Sequence, residues 1–242
     1  MPNRRILLKV SGEALSEEGK FGIDGKKVLS LALEIQAGLS REPVELALVI
    51  GGGNFLRGEK ITGPGIDRVT GDNMGMLATI INALALQSAL ESFGLETRVL
   101  SAIQVNDVAE PFIRRRAIRH LEKGRVVILS GGSGHPYFTT DTTASLRALQ
   151  VGATMLLKGT KVDGVYAEDP VRNPKAAFFT TVTFQRALED HLRVMDSTAL
   201  SLCQENKLPV LVFNMTKPGN VERALRGERL GTLIEPDSKM EK

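Results

Sequence analysis

Two lysines stand where lysine is costly. Lys9 closes the apolar run Ile6-Leu7-Leu8, and Lys158 closes Thr154-Met155-Leu156-Leu157. An ammonium at the end of a buried strand is tolerated if it emerges onto something anionic, or if its stem snorkels and its head reaches water. Small residues follow each lysine, as Val10-Ser11-Gly12 and as Gly159-Thr160-Lys161. Two further apolar runs end in glycine instead. Val44 to Ile50, with one Glu, gives way to Gly51-Gly52-Gly53, and Arg57 stands four residues on. Val126 to Ser130 gives way to Gly131-Gly132-Ser133-Gly134. Glycine lets the backbone take positive φ and approach a ligand closely. Bare N–H groups beside an arginine suit a phosphate. Each segment alone fits equally well a tight strand-to-helix turn with a surface cation. Together they put glycine backbone and lysines at strand ends that can share one rim, as a nucleotide polyphosphate requires. The same set matches phosphoryl transfer, where catalysis is mostly positioning and charge neutralisation. Asp141 and Asp196 are the carboxylates available to organise the lysines or to help bind magnesium.

Other chemistries find no support. Gly12 to Gly19-Lys20 has the wrong spacing for G-x-x-x-x-G-K-[ST], and Phe21 follows the lysine. Gly132-Ser133-Gly134 runs into His135-Pro136-Tyr137, which is not a dinucleotide fingerprint. No His/Cys cluster suggests zinc, and no G-x-S-x-G suggests a hydrolase. A formal net charge of +3 is too small to argue for nucleic acid. The single cysteine, Cys203, rules out a disulfide framework and favours a reducing cytoplasm. Met1-Pro2-Asn3-Arg4-Arg5 leads straight towards the first strand, so no signal peptide is expected. No apolar run approaches the ~20 residues of a membrane span.

The elements that must position these residues alternate. Strands are expected at 6–10, 44–50, 97–102, 126–130, 154–158 and 210–213, with a short last one at 232–234. Helices are expected at 26–39, 73–93, 111–123, 142–150, 184–191, 197–205 and 220–226. Asp72 is placed as the N-cap of the long second helix. That helix is apolar on nearly all sides, which implies burial by the sheet and by another element, such as a second subunit. Arg114-Arg115-Arg116 and Arg119 read either as a solvated basic face or as an anion site. The alternation gives an α/β sheet with helices on both faces, in a single domain spanning residues 1–242. No repeat, low-complexity tract or linker interrupts it.

Four segments resemble the bacterial uridylate kinases of the amino acid kinase family. These are Lys9-Val10-Ser11-Gly12-Glu13-Ala14-Leu15, the Gly51–Gly58 run with Arg57, Gly71-Asp72-Asn73-Met74-Gly75-Met76-Leu77-Ala78-Thr79, and Lys158-Gly159-Thr160-Lys161-Val162-Asp163-Gly164-Val165-Tyr166. The likeness extends through Phe138-Thr139-Thr140-Asp141, Phe213-Asn214-Met215 and Gly231-Thr232-Leu233-Ile234. The resemblance implies an αβα sandwich with a mostly parallel sheet, assembled as a homohexamer. It implies transfer of the ATP γ-phosphoryl to UMP, with magnesium, activation by GTP and inhibition by UTP. The first half would hold mainly UMP and the second mainly ATP. By position, Lys9, Val10, Ser11 and Gly12 touch the ATP phosphates; Gly53 and Arg57 lie between donor and acceptor. Thr160, Tyr166 and Asp169 line the ATP base and ribose. Gly52 and Asp72 bind UMP, and Ser133, Gly134, His135, Pro136, Tyr137, Phe138, Thr139 and Thr140 wrap it. Lys9, Arg57, Asp141, Lys158 and Asp196 carry or organise the transfer. Arg98 and Arg125 match positions near the GTP effector site. His135 replaces an expected asparagine. Another amino acid kinase, such as a carbamate kinase, or a non-catalytic oxyanion binder of the same fold are the rival readings.

Overall fold

The computed structural model describes residues 4–40, 44–56, 65–192 and 194–236. Arg57 and the chain end at 239–242 therefore lie outside the described residues.

Strand parity builds the layers. In β1 (Arg4–Val10), Ile6, Leu8 and Val10 face one way and Leu7 the other, and all four are buried. The first set packs on α1 (Gly25–Leu39) through Val28, Leu31 and Ile35, and on α2 (Arg68–Ser92) through Ala83, Leu86 and Leu90. Leu7 belongs to the opposite core. There Ala47 and Val49 of β2 (Val44–Ile50) meet Ala117 and Leu121 of α3 (Arg114–Glu122), and Ala144 and Ala148 of α4 (Thr140–Val151). Two apolar faces with helices on each make the expected αβα sandwich.

The chain continues through β3 (Thr97–Ser101), β4 (Glu110–Pro111), β5 (Val126–Ser130) and β6 (Met155–Thr160). Then come β7 (Val165–Tyr166), β8 (Phe178–Phe179), β9 (Thr181–Thr183), α5 (Phe184–Glu189) and α6 (Ser197–Glu205). β10 (Val210–Asn214), α7 (Asn220–Leu225) and β11 (Thr232–Glu235) complete it. The main sheet runs β4-β3-β5-β2-β1-β6-β10-β11-β9, and β7 pairs with β8 separately. Every pairing in the main sheet is parallel except β10 with β11. β1 lies between β2 and β6, so the chain turns from one side of the sheet to the other there. The crevice beyond the carboxyl ends of such strands is where α/β sheets hold ligands.

Several boundaries differ from expectation. The helix expected at 111–123 starts at Arg114, with Pro111 in β4, and the one expected at 184–191 ends at Glu189. Three further differences bear on the site. α2 begins at Arg68, and Asp67 is its N-cap, accepting from the Thr70 amide at 2.7 Å. Asp72 is therefore inside the helix and not its cap. α4 begins at Thr140, capped by the Thr139 hydroxyl, which puts Asp141 in its first turn rather than in the preceding loop. β6 runs two residues past Lys158. The short strands β4, β7, β8 and β9 were not legible as periodic runs, since two or three residues carry no period.

Among the described helices, α2 has the length and hydropathy of a membrane span, yet half of that stretch is buried within this fold. It is a core helix. Its outer face still presents Leu77 and Ile81, each 48% exposed in the single chain.

Candidate active site

Register decides where the lysines meet. Lys9 and Lys158 are directly opposite one another on adjacent parallel strands. Lys9 follows Leu7 by two residues, and Lys158 follows Leu156 by two, so both share the face that α4 covers. There the first turn of α4 delivers Asp141. Lys9 Nζ lies 2.8 Å from Asp141 Oδ1 and Lys158 Nζ 2.6 Å from Oδ2. Lys158 also donates to the Val194 carbonyl. One carboxylate thus bridges two ammonium groups, all three largely buried.

The electrostatics follow. Burial alone would raise the Asp141 pKa, but the two lysines beside it overcome that and hold the carboxyl below its ordinary range. Burial pushes Lys158 below the usual lysine range, and Asp141 offsets this only in part. Asp196 does not bond either lysine directly. It caps α6 through the Ala199 amide at 2.9 Å and accepts from the Thr139 hydroxyl at 2.5 Å and the Thr142 hydroxyl at 2.8 Å. It therefore holds the start of α4, and so Asp141, in place.

The glycine turn after β2 sits against this group. Gly51 donates to the Val10 carbonyl at 3.0 Å. A Cβ on Gly12 would lie 2.4 Å from the Gly51 oxygen, and one on Gly52 would lie 2.7 Å from the Gly75 oxygen and 2.9 Å from Ala78 Cβ. Both glycines are required by close backbone approach. Gly52→Ala is expected to cost about 1–3 kcal/mol, because the atoms it meets belong to a helix that cannot give way. Thermal unfolding against the wild type checks this, and an unchanged midpoint would contradict it.

Asp72 faces the turn from α2. Arg68 Nε donates to both its oxygens at 2.9 and 3.0 Å, and the Tyr137 amide donates to Oδ2 at 2.8 Å. Tyr137 takes φ 71° to present that amide, a conformation unusual for a residue with a Cβ. The Arg68 guanidinium also lies 5.7 Å from the Tyr137 ring centroid. Gly131, at φ 74°, donates to Thr79 Oγ1 at 2.8 Å. The loop after β5 is thereby tied to α2 at both ends.

These parts enclose a cleft of ≈ 320 Å³. Of the residues singled out in the sequence, Lys9, Ser11, Gly12, Gly52, Gly53, Asp72, His135, Phe138, Thr139 and Thr140 line it. Lys158, Asp141 and Asp196 stand behind its floor. Ser133 turns away: its hydroxyl holds the His135 backbone at 3.1 Å and faces a neighbouring cavity of ≈ 580 Å³ shared with His135 and Phe138. Val10, Gly134, Pro136 and Tyr137 are not on the cleft surface. Thr160, Tyr166 and Asp169 lie beyond it; Tyr166 packs edge-on against Phe178 at 5.2 Å. That segment is joined to the cleft by the Lys161–Glu13 ion pair at 2.8 Å, Glu13 being on its wall.

Arg98 and Arg125 stand at the amino-terminal ends of β3 and β5, at the other end of the sheet. Arg125 bonds Glu96 at 2.8 Å. The basic stretch of α3 is a solvated face: Arg114 donates to the Gln150 carbonyl, Arg116 pairs with Glu110 and Arg119 with Glu122.

The amino acid kinase profile matches residues 4–214 of this chain, most of its length. The chain belongs to the amino acid kinase family. Among similar members of the family, a uridylate kinase from Methylococcus capsulatus is 55% identical over 231 residues, 96% of each chain. The crystal structure of UMP kinase from Bacillus anthracis superposes with a TM-score of 0.93 at 40% identity, covering 98% of both chains. That of UMP kinase from Ureaplasma parvum gives 0.91 at 41% identity, covering 97% of this chain and all of the other.

In this amino acid kinase, several residues of the site were not found from sequence. Arg68 precedes the run that reads as helical, so no spacing argument singles it out. Thr79, Asn54 and Asn82 carry a weak signal, a polar side chain at a buried position, which only the packed helix makes visible.

Proposed function

We propose that this chain is a UMP kinase, transferring the γ-phosphoryl of ATP to UMP to give UDP and ADP for pyrimidine nucleotide (CTP) synthesis. The observation that carries this is the Lys9–Asp141–Lys158 bridge behind a glycine-lined cleft, with Asp72 on its far wall. An oxygen of the UMP phosphate attacks the γ-phosphorus, and the bond to the bridging oxygen of ADP breaks. The attacking oxygen is already anionic, so no general base is needed. This agrees with an Asp141 committed to two lysines and unavailable as a proton acceptor.

Lys9, with the backbone of Val10, Ser11 and Gly12, neutralises the ATP phosphates. Lys158 supports the same charge from the neighbouring strand. Gly53 and Arg57 span donor and acceptor. Gly52 and the loop at 133–140, which reaches the cleft through His135, Phe138, Thr139 and Thr140, hold UMP, and Asp72 takes its ribose. Thr160, Tyr166 and Asp169 serve the ATP base and ribose. Among the described residues, no group of three His, Cys, Asp or Glu side chains is placed to hold a metal. Asp141 and Asp196 already have partners on both oxygens. Magnesium would therefore be carried on ATP rather than in a protein cage, and would supply charge neutralisation for the transferring phosphoryl group beside Lys9 and Lys158. Arg98 and Arg125 belong to an effector site for GTP, with UTP opposing it, in a homohexamer of the cytoplasm.

Asp72→Asn is expected to raise KM for UMP far more than KM for ATP. It exchanges a carboxylate oxygen for an amide that cannot accept from both Arg68 and Tyr137 while binding a ribose. Equal effects on the two substrates would sink the assignment. The function itself is tested by ADP release with UMP, carbamate or N-acetylglutamate as acceptor. Release that needs UMP supports it; release with either other acceptor, or none with UMP, overturns it.

A further inference from the structure

Behind the glycine turn lie two amides that touch neither nucleotide in the reading above. Asn82, in the middle of α2, is 0% exposed, and Asn54 is 2% exposed. Asn82 Nδ2 donates to Asn54 Oδ1 and to the Gly51 carbonyl, both at 2.7 Å. Asn54 Nδ2 donates to Asn82 Oδ1 at 2.9 Å and to the Gly22 carbonyl at 2.8 Å, while the Gly22 amide returns a bond to Asn54 O at 2.9 Å. All four amide hydrogens are used, and the Gly51 carbonyl fixes which side of Asn82 is nitrogen.

Burying two amides gains little stability over a well-packed apolar pair, so their value lies in what they hold. They hold Gly51 from the side opposite β1. Its N–H is on Val10 and its C=O on Asn82. The same carbonyl and Asn54 Oδ1 fill the space where Gly12 would carry a Cβ, at 2.4 and 2.6 Å. The gap between the turn after β1 and the turn after β2 is therefore set by this pair.

We infer that Asn82, with Asn54, is a positioning residue for phosphoryl transfer, locking the Gly51 carbonyl so that the Lys9–Gly12 and Gly51–Gly53 turns keep the separation the reaction needs. This rests on the phosphotransferase reading of the cleft.

The test compares Asn82→Leu, Asn54→Leu and the double leucine variant by thermal unfolding, by kcat and KM for ATP and UMP, and by hydrogen exchange of the peptide spanning 51–56. Each single variant orphans one amide and should lower stability and kcat together. The double variant removes the orphan and should recover most of the stability. Its kcat should stay down by about 10- to 100-fold, the scale of a small misplacement of reacting groups, with smaller changes in KM. Exchange at 51–56 should be roughly tenfold faster in both Asn82 variants, without change in β10. If leucine at 82 prevents folding, Asn82→Ala reads the same quantities. A double variant that regains kcat along with stability would show a merely structural pair, and unchanged exchange at 51–56 would remove the anchor itself. A wild-type protein that makes no UDP would end the UMP reading alone; exchange still decides whether the amides hold the turn.

Discussion

Replacing Asp141 by Asn is expected to lower kcat by roughly 100-fold or more, and part of that loss should return as the pH is lowered. Asp141 is the sole carboxylate bonded to both Lys9 and Lys158 among the described residues. An amide cannot neutralise them, so two buried cations would face each other. Breaking a buried ion pair from one side costs about 3–5 kcal/mol, and the system softens that cost by shedding a proton. Lys158 is the group to shed it, since burial already holds it below the usual range and Asp141 is what opposes that. Without Asp141 its pKa falls further. The cation needed for transfer then becomes more abundant as pH drops, so kcat rises towards acid. A kcat profile against pH reads this titration, the variant's kcat climbing towards acid relative to the wild type. A variant profile parallel to the wild type, or a near wild-type kcat, would contradict the bridge.

Lys9→Ala separates charge from architecture. It removes one cation and leaves Asp141 paired with Lys158, a neutral unit that the fold tolerates. The expected result is again a fall in kcat of roughly 100-fold or more, the scale for losing one preorganised charge-stabilising group. Thermal stability should change far less than in Asp141→Asn. Steady-state rates and melting curves of the two proteins decide it. If Lys9→Ala turns over at near wild-type rate, Lys9 is a structural partner of Asp141 and has no part in the transfer.

Much of this was written plainly in the chain. The buried strands announced themselves as apolar runs, and Lys9 and Lys158 stood out because a strand rarely accepts an ammonium without an anion. The glycines after β2 and β5 marked where backbone approaches backbone or ligand. What the residues alone did not give was the partnership. Lys9 and Lys158 are 149 positions apart in sequence, and only the parallel register of β1 with β6 puts them side by side. Asp141 joined them because α4 starts two residues earlier than its apolar pattern suggests, with Thr139 as cap. Asp72 reads from sequence as the helix N-cap, but the helix starts five residues earlier, capped by Asp67, and this frees Asp72 for the cleft. Asn82 was hidden in an apolar helix, where a single polar residue breaks no period. The family resemblance supplied roles for the Thr160–Asp169 segment that no spacing argument reached.

The most direct measurement follows the phosphoryl group itself. ATP labelled at its γ-phosphoryl is mixed with excess protein and UMP for a single turnover, and the products are separated. Label is expected in the β-phosphoryl of UDP, formed only when UMP is present. Label in inorganic phosphate, in the protein or in a product formed without UMP would contradict it.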